Sequence, residues 1–127
     1  MLGLTGREAR FDRGQYDDQS NAVQAAIDMF GLVDLNDFQD ANPIAKFLIR
    51  NAFGTSTDVL RLASPIIYVN RDAPPFLILH GTEDPLVSPR QSAELAQSLQ
   101  NAGIPVTLIT VEGAEHDLNT PGEYPSP

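Results

Sequence analysis

The sequence predicts an α/β domain, a parallel sheet with flanking helices, and three observations carry that reading. Phe76-Leu-Ile-Leu79 is an uninterrupted apolar run, too short for a helix and suited to a central parallel strand. Val106-Thr-Leu-Ile-Thr-Val111 is a second strand-like run. Between them lies a stretch of helical spacing with its own start and stop residues, so strand, helix and strand form a βαβ unit with parallel strands. At 127 residues, 42% hydrophobic and 20% charged, the chain is the right size for one domain spanning residues 1–127.

Taken in order, residues 5–20 are polar, with Arg7, Arg10, Asp12, Arg13, Asp17 and Asp18 around Phe11 and Tyr16, and read as a surface loop. The aspartates Asp12, Asp17 and Asp18 miss the alternating carboxylates and central glycine of a calcium-binding loop. In the next segment Val23, Ala25, Ile27 and Met29 alternate while Ala26 and Phe30 fill the other side. That pattern predicts a strand over residues 22–30, covered on both faces and ended by Gly31. Asn42 as N-cap, Pro43 at the first helical position, Ile44, Phe47, Leu48 and Ala52 at helical spacing and Gly54 as the stop predict a short amphipathic helix.

Residues 55–73 have no clear period, and the reading there is a turn with some extended chain around residues 63–69. Pro74 and Pro75 introduce the first apolar run. After it, Ser88 can cap a helix, with Pro89 at its first position and Gln91 placed to complete a reciprocal cap. Leu95, Ala96, Leu99 and Ala102 line one face, Gly103 closes the helix and Pro105 blocks its resumption. Residues 119–127, with three prolines and a glycine, read as an irregular tail.

Eight basic against seventeen acidic residues give a formal charge of -9, which repels phosphate backbones and anionic membranes, so nucleic acid is not an expected partner. With no cysteine there is no disulfide, thiolate metal site or cysteine nucleophile. The opening lacks the pattern of a secretion signal and no segment reaches the roughly 20 apolar residues of a membrane helix, so the reading is a soluble chain of unassigned compartment.

Reactive groups in an open α/β sheet gather beyond the carboxyl ends of the strands. Beyond the first run lies His80-Gly-Thr-Glu-Asp-Pro-Leu-Val87, and beyond the second Glu112-Gly-Ala-Glu-His-Asp117. The intervening helix returns the chain, which sets Asp84 beside His116. A carboxylate next to an imidazole fixes the ring's tautomer and leaves the other nitrogen as a general base. His80, at the end of a buried strand, reads as a partly buried histidine bonded to neighbouring backbone. A rival reading gathers His80, Asp84, Glu115 and His116 around zinc or manganese in a metal-dependent hydrolase, although no pair has the close helical spacing of a zinc hydrolase motif. Glu83, Glu115 and Asp117 read as a solvated rim.

Ala63-Ser-Pro-Ile-Ile-Tyr-Val69, Pro74-Pro-Phe-Leu-Ile-Leu-His-Gly81, Asp84-Pro-Leu-Val87 and Gly113-Ala-Glu-His116 together resemble the α/β-hydrolase family, in its esterase and lipase branch with acetyl and feruloyl esterase-like enzymes. The resemblance covers most of residues 21–118. It implies the carboxyl-terminal part of an α/β-hydrolase fold, with residues 36–63 as a cap-like helical insertion. It also implies a carboxylic ester hydrolase in which Asp84 is the triad acid and His116 the base, acting on a small ester or acylated sugar with no cofactor or metal.

The family's nucleophile lies earlier in the chain, in Gly-x-Ser-x-Gly at a strand-to-helix turn, with an oxyanion hole partly from a glycine-rich loop further upstream. Neither pattern occurs here. Leu2-Gly-Leu-Thr-Gly6 is similar to the end of the helix after the nucleophile, which implies a piece that starts just too late and is inactive or very weak alone. Gly54-Thr-Ser56-Thr-Asp58 is the internal candidate, but aspartate replaces the second glycine and the preceding residues read as helix. Ser56, Ser64 and Ser88 therefore read as structural. A strand at 22–30 without its neighbour exposes an edge, so a homodimer or pairing with the missing amino-terminal half is expected. A binding or interaction module that keeps the fold without the chemistry is the non-enzyme alternative.

Overall fold

The computed structural model describes residues 2–6, 14–15, 18–37 and 42–119, so Asp12 and Asp17 and all but the first residue of the 119–127 tail lie outside the described residues. In chain order the elements are α1 (Leu2–Thr5), β1 (Ala26–Met29), α2 (Pro43–Phe53), α3 (Thr57–Ala63), a 3₁₀ turn (Pro65–Tyr68), β2 (Phe76–Gly81), α4 (Pro89–Asn101) and β3 (Val106–Val111). The described strands form one parallel sheet in the order β1-β2-β3.

The expected βαβ unit is β2-α4-β3, its strands in register from Phe76 opposite Val106 to Gly81 opposite Val111. Ser88 caps α4 by accepting the Arg90 N–H, and Ala102 and Gly103 close it through N–H bonds to the carbonyls of Ser98 and Gln100. Gly103 has φ 79°, a conformation open to glycine because it lacks a Cβ. Leu95, Ala96 and Leu99 on α4 pack with Phe76 and Ile78 of β2, Leu4, Val33, Tyr68 and Ile104 in the core. Truncating a fully enclosed member such as Ile78 or Leu99 to alanine costs about 2–5 kcal/mol.

Four expectations are corrected. The strand at 22–30 is only Ala26–Met29, because its register sets Ala26 opposite Phe76. Residues further upstream would lie opposite Pro74 and Pro75, where proline cannot donate to a ladder. The sheet is also not covered on both faces. Ile27 and Met29, in register with Leu77 and Leu79, are 68% and 50% exposed among the described residues, and Ile109 is exposed on the same side.

Residues 57–63 and 65–68 are helical, where residues 63–69 read from the sequence as a turn with some extended chain. Ser64 stabilises this local winding, donating its hydroxyl to the Leu60 carbonyl at 2.7 Å while accepting the Leu35 N–H at 2.8 Å. Finally, Gln91 does not complete a reciprocal cap. Its Oε1 accepts the N–H groups of Val33 and Asp34 at 2.9 and 2.8 Å, tying the chain after β1 to the first turn of α4.

Helix α2 begins as expected, with Asn42 Oδ1 accepting the Ile44 N–H at 2.8 Å and Gly54 at its end. None of its residues is buried, and Ile44, Phe47 and Leu48 present apolar surface outward. Among the described residues no helix is long and apolar enough to cross a membrane.

Candidate active site

The site lies where β2 and β3 end side by side. A Cβ on Gly81 would overlap the carbonyl of Ala114, so the glycine allows the chain after β3 to cross directly over the end of β2. The two turns are then stitched together. Thr82 N–H donates to Val111 O and Glu83 N–H to Ala114 O, both at 3.0 Å, and Gly113 N–H donates to Thr82 Oγ1 at 2.9 Å. This crossing carries His116 to Asp84.

Asp84 accepts hydrogen bonds on both oxygens. Its Oδ1 takes the N–H groups of Leu86 and Val87 at 2.8 and 2.9 Å. Its Oδ2 lies 2.8 Å from His116 Nδ1 and 3.1 Å from His80 Nε2. Burial of the carboxylate works against its charge, but the Val87 N–H, the His116 ring and the Leu86 N–H outweigh that penalty and hold the carboxyl below the ordinary range. An ionised carboxylate only accepts, so the proton of this contact sits on His116 Nδ1.

The His116 side chain is 35% exposed, against 0% for Asp84. Among the described residues its Nε2 has no hydrogen-bond partner. One side of the ring rests on Phe30, with centroids 4.4 Å apart and planes at 48°. The turn behind it is held by Asp117, which accepts the Asn119 N–H at 2.9 Å and its side-chain amide at 2.7 Å. Those two bonds hold the Asp117 carboxyl below its ordinary range.

The other candidates fall elsewhere. His80 is not partly but fully buried, and it bonds a side chain as well as backbone, meeting Ser92 Oγ at 2.6 Å and Val87 O at 3.0 Å. Glu83, Glu115 and Asp117 are exposed at the rim. Among the described residues no three His, Asp or Glu side chains converge as a metal set, and Asp84 turns its oxygens to N–H donors instead. Ser56 stands between α2 and α3, so no strand leads into it, while Ser64 and Ser88 serve helix ends.

Sequence reading misses Phe30, Gly81, Gln91 and Ser92. The alternating pattern puts Phe30 in a strand, yet its φ of 47° turns the chain out of β1 and towards His116. The Gly81 signal is legible in principle, since glycine inside an apolar strand marks close approach of another backbone. Asp28 is missed as well. Its Oδ2 is buried without a partner among the described residues, and burial raises its carboxyl above the ordinary range against the Gly31 N–H.

A buried carboxylate holding one imidazole nitrogen, with the other left open, is an arrangement that can orient a histidine for general acid and base work. Residues 1–99 match the BD-FAE family, a span that contains Asp84 and ends before β3 and His116. The chain is 33% identical over 122 residues to the esterase LipQ of Mycobacterium tuberculosis, an alignment covering 91% of this chain and 29% of LipQ. It spans only 29–31% of the length of the curated relatives it matches.

Among solved structures, a truncated carbohydrate esterase from gut microbiota superposes with a TM-score of 0.69 at 31% identity, covering 83% of this chain and 39% of that one. A propionate-bound esterase from Thermogutta terrifontis gives a TM-score of 0.57 at 26% identity, over 78% of this chain and 35% of that one. The chain belongs to the BD-FAE family of α/β-hydrolase esterases.

Proposed function

We propose that Asp84 and His116 are the acid and base of a Ser-Asp-His triad in a carboxylic ester hydrolase, the serine coming from outside these 127 residues. The observation that carries this reading is the 2.8 Å bond from His116 Nδ1 to the buried Asp84 Oδ2, which leaves Nε2 as the open nitrogen. In the cycle, Nε2 takes the serine proton as the oxygen bonds the ester carbonyl carbon. His116 then gives that proton to the departing alcohol, and the serine is left acylated. Water enters, loses a proton to Nε2 and attacks the acyl carbon, and the acid departs as the serine regains its proton. Asp84 stays ionised throughout and steadies the imidazolium.

The substrate class we propose is a small ester or an acylated sugar. Similarity to a carbohydrate esterase and to an esterase seen with propionate supports it. Without its serine the chain is expected to be inactive or very weak, since removing the nucleophile from a working triad costs about 10⁶ in turnover. We place the nucleophile-bearing portion beside β1, whose outer edge has no neighbouring strand among the described residues. Residues 36–63, which carry α2 and α3, serve in this reading as the cap-like insertion.

The test is a chimera in which this chain replaces the region of LipQ that it matches. The chimera is expected to hydrolyse p-nitrophenyl acetate and to lose that activity with His116→Ala. A folded chimera with no activity, or with activity indifferent to His116→Ala, overturns the proposal.

A further inference from the structure

We infer that His80 is a positioning residue for Asp84: gripped by Ser92 of α4, its ring holds the turn at residues 84–87 so that Oδ2 stays aimed at His116. This rests on the reading of Asp84 as the triad acid. His80 and Ser92 are both fully enclosed, so every polar atom of the ring must find a partner inside the protein.

The bonding assigns the tautomer. Nε2 lies 3.0 Å from the Val87 carbonyl and 3.1 Å from Asp84 Oδ2, and both are acceptors, so Nε2 carries the hydrogen. In the neutral ring Nδ1 is then bare and accepts the Ser92 hydroxyl at 2.6 Å. Each polar atom of the ring is matched once the ring is neutral in this tautomer.

Val87 closes the circuit. Its carbonyl takes the His80 N–H while its own N–H donates to Asp84 Oδ1 at 2.9 Å. One imidazole therefore grips the far end of the turn and faces the carboxylate at its start. Ser92 is on the inner side of α4 and fixes the ring's rotation, so the helix that closes the βαβ unit also sets the direction of the acid. A histidine that merely filled space would not need a hydroxyl on one nitrogen and two oxygens at the other.

The 127-residue chain has only two histidines, so long-range ¹H–¹⁵N spectra read both rings, with His116→Ala supplying the assignment. His80 is expected as a single Nε2–H tautomer, and a hydrogen on its Nδ1 overturns the proposal. His80→Leu is then compared with His80→Gln, whose amide can still donate to Val87 O and accept from Ser92. In the leucine variant His116 is expected to pass from a pure Nδ1–H tautomer to a mixture, and in the glutamine variant to recover. An unchanged His116 in folded His80→Leu overturns the proposal even if the melting temperature falls, because that is the mark of a purely structural role.

Ser92→Ala keeps the question answerable if the leucine variant fails to fold. It is expected to broaden or split the His116 Nδ1–H signal, and an unaltered signal counts against the proposal. In the LipQ chimera, His80→Leu is expected to lower turnover roughly 10- to 100-fold, by analogy with the scale seen for partners that orient metal-ligating histidines. A chimera without esterase activity would sink the hydrolase reading, while the spectra of the 127-residue chain would still decide whether His80 orients Asp84.

Discussion

Phe30 lies against His116, its ring centroid 4.4 Å away, although the two residues leave the sheet from β1 and β3, on opposite sides of β2. To reach that position Phe30 adopts φ 47°, a left-handed conformation that is uncommon for a bulky side chain. Strain of this kind, about 1–3 kcal/mol, persists where the surroundings over-determine it and tends to gather at functional sites. Phe30→Ala is expected to free the imidazole, seen as broader His116 ring resonances and, in the LipQ chimera, lower turnover with KM nearly unchanged. Unaltered His116 resonances would make Phe30 a bystander.

Gly81 has the tightest constraint in the site. Gly81→Ala sets a methyl group against the Ala114 carbonyl, and neither backbone can yield without opening the bonds from Thr82 and Glu83 that join the two turns. Overpacking of this kind costs about 1–3 kcal/mol or more. The expected outcome is a lower melting temperature together with loss of the His116 Nδ1–H signal. Full retention of both would mean that the loops can pass each other in another way.

Asp84 and the partly buried Asp28 predict opposite responses to pH. Asp84, held below its ordinary value of 3.8, contributes stability above that value that is lost as pH falls through its lower folded pKa. Asp28, raised above 3.8 by burial, contributes below that value and loses its contribution as pH rises through its higher folded pKa. Asp28→Asn should therefore gain melting temperature relative to wild type at pH 7 and show less gain at pH 3. A difference independent of pH would contradict the burial assigned to Asp28.

Gln91 is expected to matter more than its helix-start position suggests. Gln91→Ala strands the N–H groups of Val33 and Asp34, one of them buried, at a cost of about 1–3 kcal/mol for each donor left without a partner. Chemical denaturation measures this directly. Gln91→Glu, which keeps the accepting oxygen but adds a charge at an enclosed position, is expected to recover part of the loss, and a loss in Gln91→Ala below about 1 kcal/mol would contradict the role given to these bonds.

The βαβ unit is legible in the sequence because its signals are local. Ser88, Pro89 and Gly103 punctuate α4, and the apolar runs at 76–79 and 106–111 leave little choice of element. The meeting of Asp84 and His116 follows from the same topology, since parallel strands joined by a helix must end on one side. What escapes the sequence is tertiary in origin. The short β1 depends on which residues lie opposite Pro74 and Pro75, the helical winding at 57–63 and 65–68 depends on Ser64 reaching Leu35, and the Gln91 side chain is claimed by a strand exit 58 positions away. Neither Phe30 nor Ser92 belongs to a motif, and each acts by where the fold puts it.

If Asp84 and His116 are an acid and base pair awaiting a serine, they can activate one only when the rest of the domain supplies it. Intact mass after treatment with a fluorophosphonate, which modifies only activated serines, reads this out on the folded 127-residue chain and on the LipQ chimera side by side. No adduct is expected on the chain alone, and one adduct per chimera is expected, lost with His116→Ala. A stoichiometric adduct on the chain alone, mapped to Ser56, or equal labelling of the chimera with and without His116, would contradict the pairing.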